Sequence, residues 1–476
     1  MESSNAMVML AMFSWPLVAL LVFSQLSPRK AVIVLFLAGW MFLPPNAMFK
    51  LPGIPEYNKT TATTLGIMLG VVVFDLKTIT SLRPCWGDMP IVAYCLIPFV
   101  SSITNNLGMY DGTSGVVKEA MSWGLPYMLG RAYLRNFEAF QDIAKFIFIA
   151  GLIYIPFCMY EIRMSPQLNR YLYGYGTVGG GEYSNELGSW GSRPRVFMGT
   201  GLAVGTFMTA ASLAGIWMLY TGAIRKICGF NIKWLVLALT VVTFMCKNMG
   251  ALALLIFGLL TLFSIPYLKR AVMVYLLIAA APLYMAYRAT GAWSAEMLVD
   301  IAASIHKQRG DSLQDRLRND SMLAEKALQR PVFGWGGWGR ARIYREDGKD
   351  ISITDGLWII VLGNTGIAGL TALTAVLLIP PLLFVRRYPV QIWTNPQVAP
   401  TAVMAIMVVL YMIDNLFNSM FNPLYVMSAG GLVTLSTTST ASSYSSSTIQ
   451  SSVQFCPLHQ QRWFSNISQR DRLLIR

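Results

Sequence analysis

The sequence predicts an all-α fold: a polytopic transmembrane helical bundle of about 12–13 spans, with a large external loop containing a short amphipathic helix. Three observations predict it. Of 476 residues, 55% are hydrophobic and 13% charged, about half the charged share of an ordinary soluble domain. Mean hydropathy is +0.51, more apolar surface than one soluble core buries. The apolar residues also fall in blocks rather than in short alternation. At ~1.5 Å rise per residue, roughly 20 of them cross a ~30 Å hydrocarbon core.

The blocks lie at 7–24, 31–45, 60–76, 89–103, 114–130, 143–160, 196–220, 230–246, 249–266, 270–287, 356–385, 398–416 and 421–436. Those at 31–45, 89–103 and 114–130 are short, and the last holds Lys118 and Glu119. One of these three is a candidate for an interfacial or re-entrant segment. The first block, Met7 to Phe23, has no basic segment before it and no small-residue cleavage site, so it reads as a retained helix and not a signal peptide.

The net charge of +14 belongs largely to short loops between blocks and is no nucleic-acid signal. Alternate loops carry Arg29/Lys30, Lys77/Arg83, Arg131/Arg135/Lys145, Arg225/Lys226/Lys233, Lys269/Arg270 and Arg386/Arg387. Positive charge holds such loops in the cytoplasm, so 46–59, 104–113, 162–195, 288–355 and 417–421 are expected outside. Residues 1–436 then form the bundle, and the Ser-rich 437–476 a disordered inner tail. There is no internal repeat. Six scattered cysteines are absent from the long loops, which argues against a disulfide framework or a zinc site; no metal is expected.

Residues 288–355 hold eleven basic side chains, eight of them arginine, and ten acidic ones. Loops longer than ~60 residues cross the bilayer regardless of charge. Arginine favours planar, bidentate recognition of phosphate or carboxylate. Within the loop a helix is expected over 312–330, with Ser312 as its cap, Asp315 three residues on, and Leu313, Leu317, Ala324 and Leu328 as its apolar stripe. Arg316 lies beside that stripe, either snorkelling from a helix on the bilayer or facing a substrate. Next comes Pro331-Val-Phe-Gly-Trp-Gly-Gly-Trp-Gly-Arg340. Its glycines suit an anion-binding nest of backbone amides or a glycine-rich turn with interfacial tryptophans. It is neither a Rossmann nor a P-loop motif.

Arg316, the Pro331 motif fifteen residues later, and Asp355-Gly-Leu-Trp-Ile-Ile-Val-Leu-Gly-Asn-Thr-Gly-Ile-Ala-Gly-Leu370 together resemble the O-antigen ligase/polymerase superfamily. Its members carry an Arg, a Pro-x-x-Gly-x-Gly, and a His-Asn-x-Tyr-Leu entering a helix that ends Gly-x-x-Gly. Arg193-Pro194-Arg195 looks like the family's other external arginine region, and Lys247-Asn248-Met249-Gly250-Ala251 like a degenerate Ser-Arg-Gly-Ala. The resemblance covers roughly 190–385, the first half of the chain agreeing in hydropathy alone. One departure matters: Asp355, with Thr354 beside it, stands where the family has its histidine. The chain's two histidines, His306 and His459, are out of order or in the tail.

The resemblance implies transfer or polymerisation of a glycan from a polyprenyl-pyrophosphate donor to a sugar or lipid acceptor, with no metal or cofactor. It places the protein in the bacterial inner (plasma) membrane among membrane lipids. Fixed guanidinium groups would stabilise the charge that grows on the leaving pyrophosphate. Arg316 and Arg195 are the first candidates, with Arg193, Arg340 and Lys247 behind them. Asp355 is the candidate base, and a helix N-cap is its bland alternative role. Two other classes stay open. One is a transporter or flippase of a lipid-linked or anionic solute, which would use ionisable residues near the bilayer midplane; Lys118, Glu119 and Asp414 are the ones available, and all are expected near span ends. The other is a non-catalytic scaffold of envelope assembly.

Overall fold

Long apolar blocks with polar caps produce helices of the expected kind. In the computed structural model, which describes residues 5–50, 56–176, 191–227, 229–293, 295–305, 307–337 and 339–437, the chain is helical almost throughout. The first half runs α1 (Ala6–Gln25), α2 (Pro28–Phe42), α3 (Lys59–Phe74), α4 (Leu76–Thr80), α5 (Met89–Thr104), α6 (Gly108–Glu119), a π-helical turn (Ala120–Gly124), α7 (Leu125–Tyr133), α8 (Phe137–Met164) and α9 (Leu168–Tyr173). The second runs α10 (Gly201–Thr221), α11 (Ile232–Met245), α12 (Met249–Leu268), α13 (Val272–Ala289), α14 (Glu296–Ile305), α15 (Lys307–Leu328), α16 (Leu357–Arg387), α17 (Ala399–Asp414) and α18 (Pro423–Thr437). Sheet among the described residues amounts to two two-residue hairpins. His306, Trp338, residues 177–190 of the earlier external loop, and the tail from 438, with His459, lie outside the described residues.

Short polar side chains set the starts. Asn58, Asn136, Thr200, Asn231 and Asn248 each accept a backbone N–H from the first turn of the helix that follows, satisfying donors that have no intrahelical partner. Among the described residues seven helices are long and apolar enough to cross a membrane, and α3, α11 and α17 are shorter apolar ones. At the centre stands α17, buried on nearly every face and packed against α8, α10, α12, α13 and α16. A helix apolar all round belongs inside a bundle. Residues up to Ser436 form one compact unit.

The connections gather at two ends. At one, here called the loop end, the carbonyls of Met41, Phe42 and Pro45 accept the phenols of Tyr154, Tyr173 and Tyr175. At the opposite end Arg29 pairs with Glu138 and Asp142, Arg131 with Asp88 at 2.9 Å, and Gln391 donates to the Lys269 carbonyl. α2, the short block expected at 31–45, runs from one set of contacts to the other.

Two expectations need correction. The block at 114–130 is the middle of a longer crossing, α6–π–α7, covering residues 108–133. Lys118 and Glu119 consequently lie deep within it and not near an end, whereas Asp414 does close its helix at the loop end. The helix expected over 312–330 begins at Lys307 and ends at Leu328, so Ser312 sits inside it and caps nothing. Its start is set by the hairpin with α14, where Gly310 lets the two helices approach within contact of Ala303. The buried face is Leu317, Leu323, Ala324 and Ala327, while Leu328 is exposed.

Candidate active site at the loop end

Arg316 projects from α15 toward the chain between α17 and α18. Its Nε lies 3.5 Å from Asp355 Oδ2, and its Nη1 donates to the Phe417 carbonyl at 3.3 Å. Both side chains are about one third exposed, 30% and 35%, so the pair is half-buried and open on one side. That side faces a cleft of about 440 Å³ lined by Asp311, Asp315, Asn319 and Ile353 as well as by the pair itself.

Asp355 does not cap α16. The cap residue is Gly356, without a side-chain hydrogen bond, and the Leu357 amide is taken by the carbonyls of Asn415 and Asn418. The capping role is thus replaced by backbone from the neighbouring connection, and the Asp355 carboxylate stays available to the cleft. Thr354 accepts from Arg342 Nη2 at 3.4 Å, and Arg342 also binds Asp350 at 2.6 Å.

Behind the pair lies a residue that sequence reasoning missed. Asp320, one turn beyond Arg316, is 4% exposed. Burial pushes its carboxyl up to about 7, and Asp355 adds to this, against the opposing pull of Arg288, Trp358 and Arg316. Arg288, at the end of α13, donates to the carbonyls of Trp293 and Leu317 and to Ser321 Oγ, and so clamps α15 onto the bundle. In the sequence Asp320 is one carboxylate of ten in a charged loop. The i, i+4 spacing to Arg316 was its only signal.

A second group forms where α8 ends. Glu161, 1% exposed, accepts the amides of Arg195 and Val196, both at 2.7 Å, and of Leu168 at 3.0 Å. A buried carboxylate with three amide donors holds its loop firmly, and this one fixes the backbone of the Arg193–Arg195 segment. Arg193 Nη2 donates to the Lys247 carbonyl at 3.3 Å, and Lys247 Nζ to the Gly191 carbonyl at 2.6 Å. Lys59, at the start of α3, donates to the Phe197 carbonyl at 2.9 Å. Nothing in the sequence singled out Glu161 or Lys59, because each sits at the end of an apolar block far along the chain from the 195–197 backbone it holds.

The connection at 415–422 lies between these groups. Its Phe417 carbonyl meets Arg316, and its Met420 sulfur accepts from Thr200 Oγ1 at 3.4 Å. Arg316 joins Asp355, and Arg193 joins Lys247. Arg340 goes elsewhere, to Asp111 on α6 at 3.5 Å and to the Gly337 carbonyl.

The first half of the glycine motif, 331–336, is no anion nest. α16 breaks at Gly366 (φ 67°, ψ −166°), and the motif fills the break. Trp335 and Gly336 donate their amides to the carbonyls of Gly363 and Asn364, while Ile367 and Ala368 donate to Pro331 and Val332. The Gly334 amide goes to the Arg330 carbonyl. The amides of Gly334, Trp335 and Gly336 are spent in this way, and the glycines allow two backbones to touch. A Cβ at Gly334 would stand 2.6 Å from the Asn364 carbonyl carbon.

No family model and no curated protein matches the chain. The likeness to O-antigen ligases and polymerases therefore rests on the residues themselves. Among the described residues no three His, Cys, Asp or Glu side chains converge as a bound metal ion requires.

Proposed function

We propose that the chain is a membrane glycosyltransferase of cell-envelope polysaccharide assembly, of O-antigen ligase or polymerase type, and that the cleft beside Arg316 receives the acceptor. The observation that carries this reading is the Arg316–Asp355 pair on an open cleft, with a carboxylate that capping does not consume. The lining counts three carboxylates, Asp311, Asp315 and Asp355, against one guanidinium. Such a surface repels a pyrophosphate but offers acceptors to the hydroxyls of a sugar.

The roles then divide. Asp355 takes the proton of the acceptor hydroxyl as that oxygen attacks the anomeric carbon of the donor. The bond from that carbon to the pyrophosphate oxygen breaks, and polyprenyl pyrophosphate leaves with the electron pair. Arg316 orients Asp355. The Arg193, Arg195 and Lys247 group, anchored by Glu161, supplies the positive charge for the leaving pyrophosphate. The transporter alternative would use a broken helix such as α16 to bind solute on freed backbone groups, but residues 331–336 occupy those groups.

The test is Asp355→Asn and Asp355→His, read by analysis of lipid-linked and surface glycans. The Asn variant is expected to lose transfer by about 100-fold or more, in the range of a lost general base, at normal expression. The His variant is expected to retain transfer. An Asn variant with unchanged glycans removes Asp355 as the base.

A further inference from the structure

Glu119 occupies a position that the proposed transfer reaction does not use. The α6–π–α7 crossing is pinned at both ends by ion pairs: Asp111 with Arg340 at 3.5 Å toward the loop end, and Arg131 with Asp88 at 2.9 Å toward the opposite end. Twenty residues separate Asp111 from Arg131, about 30 Å of helix, which is the thickness of a hydrocarbon core. Glu119 is eight residues from the first and twelve from the second, or ~12 Å and ~18 Å along the axis. It lies close to the middle.

The neighbouring helix gives the same level independently. Glu119 faces Tyr94 and Cys95 of α5, and Cys95 is the midpoint of the candidate span Trp86–Thr104. Glycines bring the two helices together: Gly112 packs on Phe99 and Ser102, Gly115 on Pro98, and Gly124 on the Cys95 sulfur. The π-helical turn Ala120–Gly124 starts directly after Glu119. Such turns loosen the regular i→i−4 ladder and recur at functional sites.

The charged and titratable groups around Glu119 are few. Tyr94 and Cys95 come from α5, and Tyr411 of α17 stands beyond Tyr94. Lys118, next to Glu119 on the same helix, is exposed on the outside of the hairpin; its charge acts on Glu119 from there, with no ion pair between the two side chains. Within a bilayer a carboxylate that is not joined in an ion pair costs several kcal/mol, and binding a proton removes most of that cost.

We propose that Glu119 is a proton-binding site at the middle of the membrane, protonated at rest and exchanging its proton as the pH changes. The site is independent of Asp355 and of glycosyl transfer.

The experiment uses dicyclohexylcarbodiimide, which dissolves in hydrocarbon and adds across a protonated carboxyl. The O–H bond breaks, its proton moves to a carbodiimide nitrogen, and the carboxyl oxygen bonds the central carbon. Full-length protein in phosphatidylcholine vesicles is treated at about pH 6 and about pH 9, spanning the range in which a perturbed carboxyl titrates, and modified peptides are read by mass spectrometry. The expected result is an adduct on Glu119 at the lower pH, reduced roughly tenfold or more at the higher, as one proton equilibrium allows. In parallel, pH-difference infrared spectra should show a protonated-carboxyl band that Glu119→Gln removes. An unmodified Glu119, an adduct independent of pH, or a band unchanged in Glu119→Gln overturns the proposal. So does labelling by a water-soluble carbodiimide alone, which would place Glu119 in an aqueous cavity.

Discussion

Asp320 and Glu161 are both buried carboxylates, and they differ in what surrounds them. Asp320 holds its proton up to about 7, whereas in an unfolded chain it loses it near 3.9. The native state thus binds the extra proton between those values. The stabilisation is complete below about pH 4 and is lost as pH rises to about 7. Removing the charge should remove the dependence. The melting temperature of wild type is expected to fall from about pH 5 to about pH 8 more steeply than that of Asp320→Asn, with a limit on the order of 4 kcal/mol. Parallel curves would show that the carboxyl ionises freely. Glu161 instead serves three amides. Glu161→Ala leaves them without an acceptor, at about 1–3 kcal/mol each, and should lower the melting temperature far more than Glu161→Gln. Neither role was legible in the sequence, since burial is a property of the assembled bundle. Arg316 and Asp355 were legible, through order and spacing, but the likeness implied a phosphate contact for Arg316. The structure gives it a carboxylate.

Helix ends and hydropathy are local properties, and for that reason the element boundaries read from sequence hold to within a few residues for most crossings. What failed depended on contacts between elements. α15 starts earlier than expected because α14 packs on it through Gly310, and the break in α16 exists because residues 331–336 fill it. This clasp makes a graded prediction. Gly366 needs φ 67° with ψ −166°, a region that only glycine occupies readily, and a Cβ there collides with the Val332 carbonyl. Gly334 has φ 67° and similar crowding. Gly337 is exposed, with nothing within 4 Å of an added Cβ. Alanine at Gly366 or Gly334 should cost about 3 kcal/mol or more, whereas Gly337→Ala should stay within about 0.5 kcal/mol. Thermal unfolding of the purified variants measures all three, and equal effects would dissolve the clasp argument.

At the scale of the whole molecule, the basic residues read as cytoplasmic gather at the end opposite the cleft, where Arg29, Arg131 and Lys269 make their contacts. The positive-inside rule then sets the cleft outside. Single cysteines at Ser312 and Ser81, in a background without the six native ones, should react with an impermeant thiol reagent from opposite sides. Reaction of Ser81→Cys alone in intact cells would reverse the orientation. The clasp also closes a ring. Four backbone hydrogen bonds join 331–336 to 363–368, so the chain between them, Asp355 included, is tied at both ends. Farther out, Ile351 bonds Ile343 and Arg345 bonds Lys349, cinching the ring again. Its tip at Asp347 and Gly348 is therefore insulated twice from the Asp355 carboxylate. Lengthening a closed loop of about thirty residues by ten costs only about 0.3 kcal/mol of chain entropy. An epitope inserted between Asp347 and Gly348 should leave both melting temperature and glycan transfer unchanged, giving a surface handle a few residues in sequence from the cleft that the cleft does not feel.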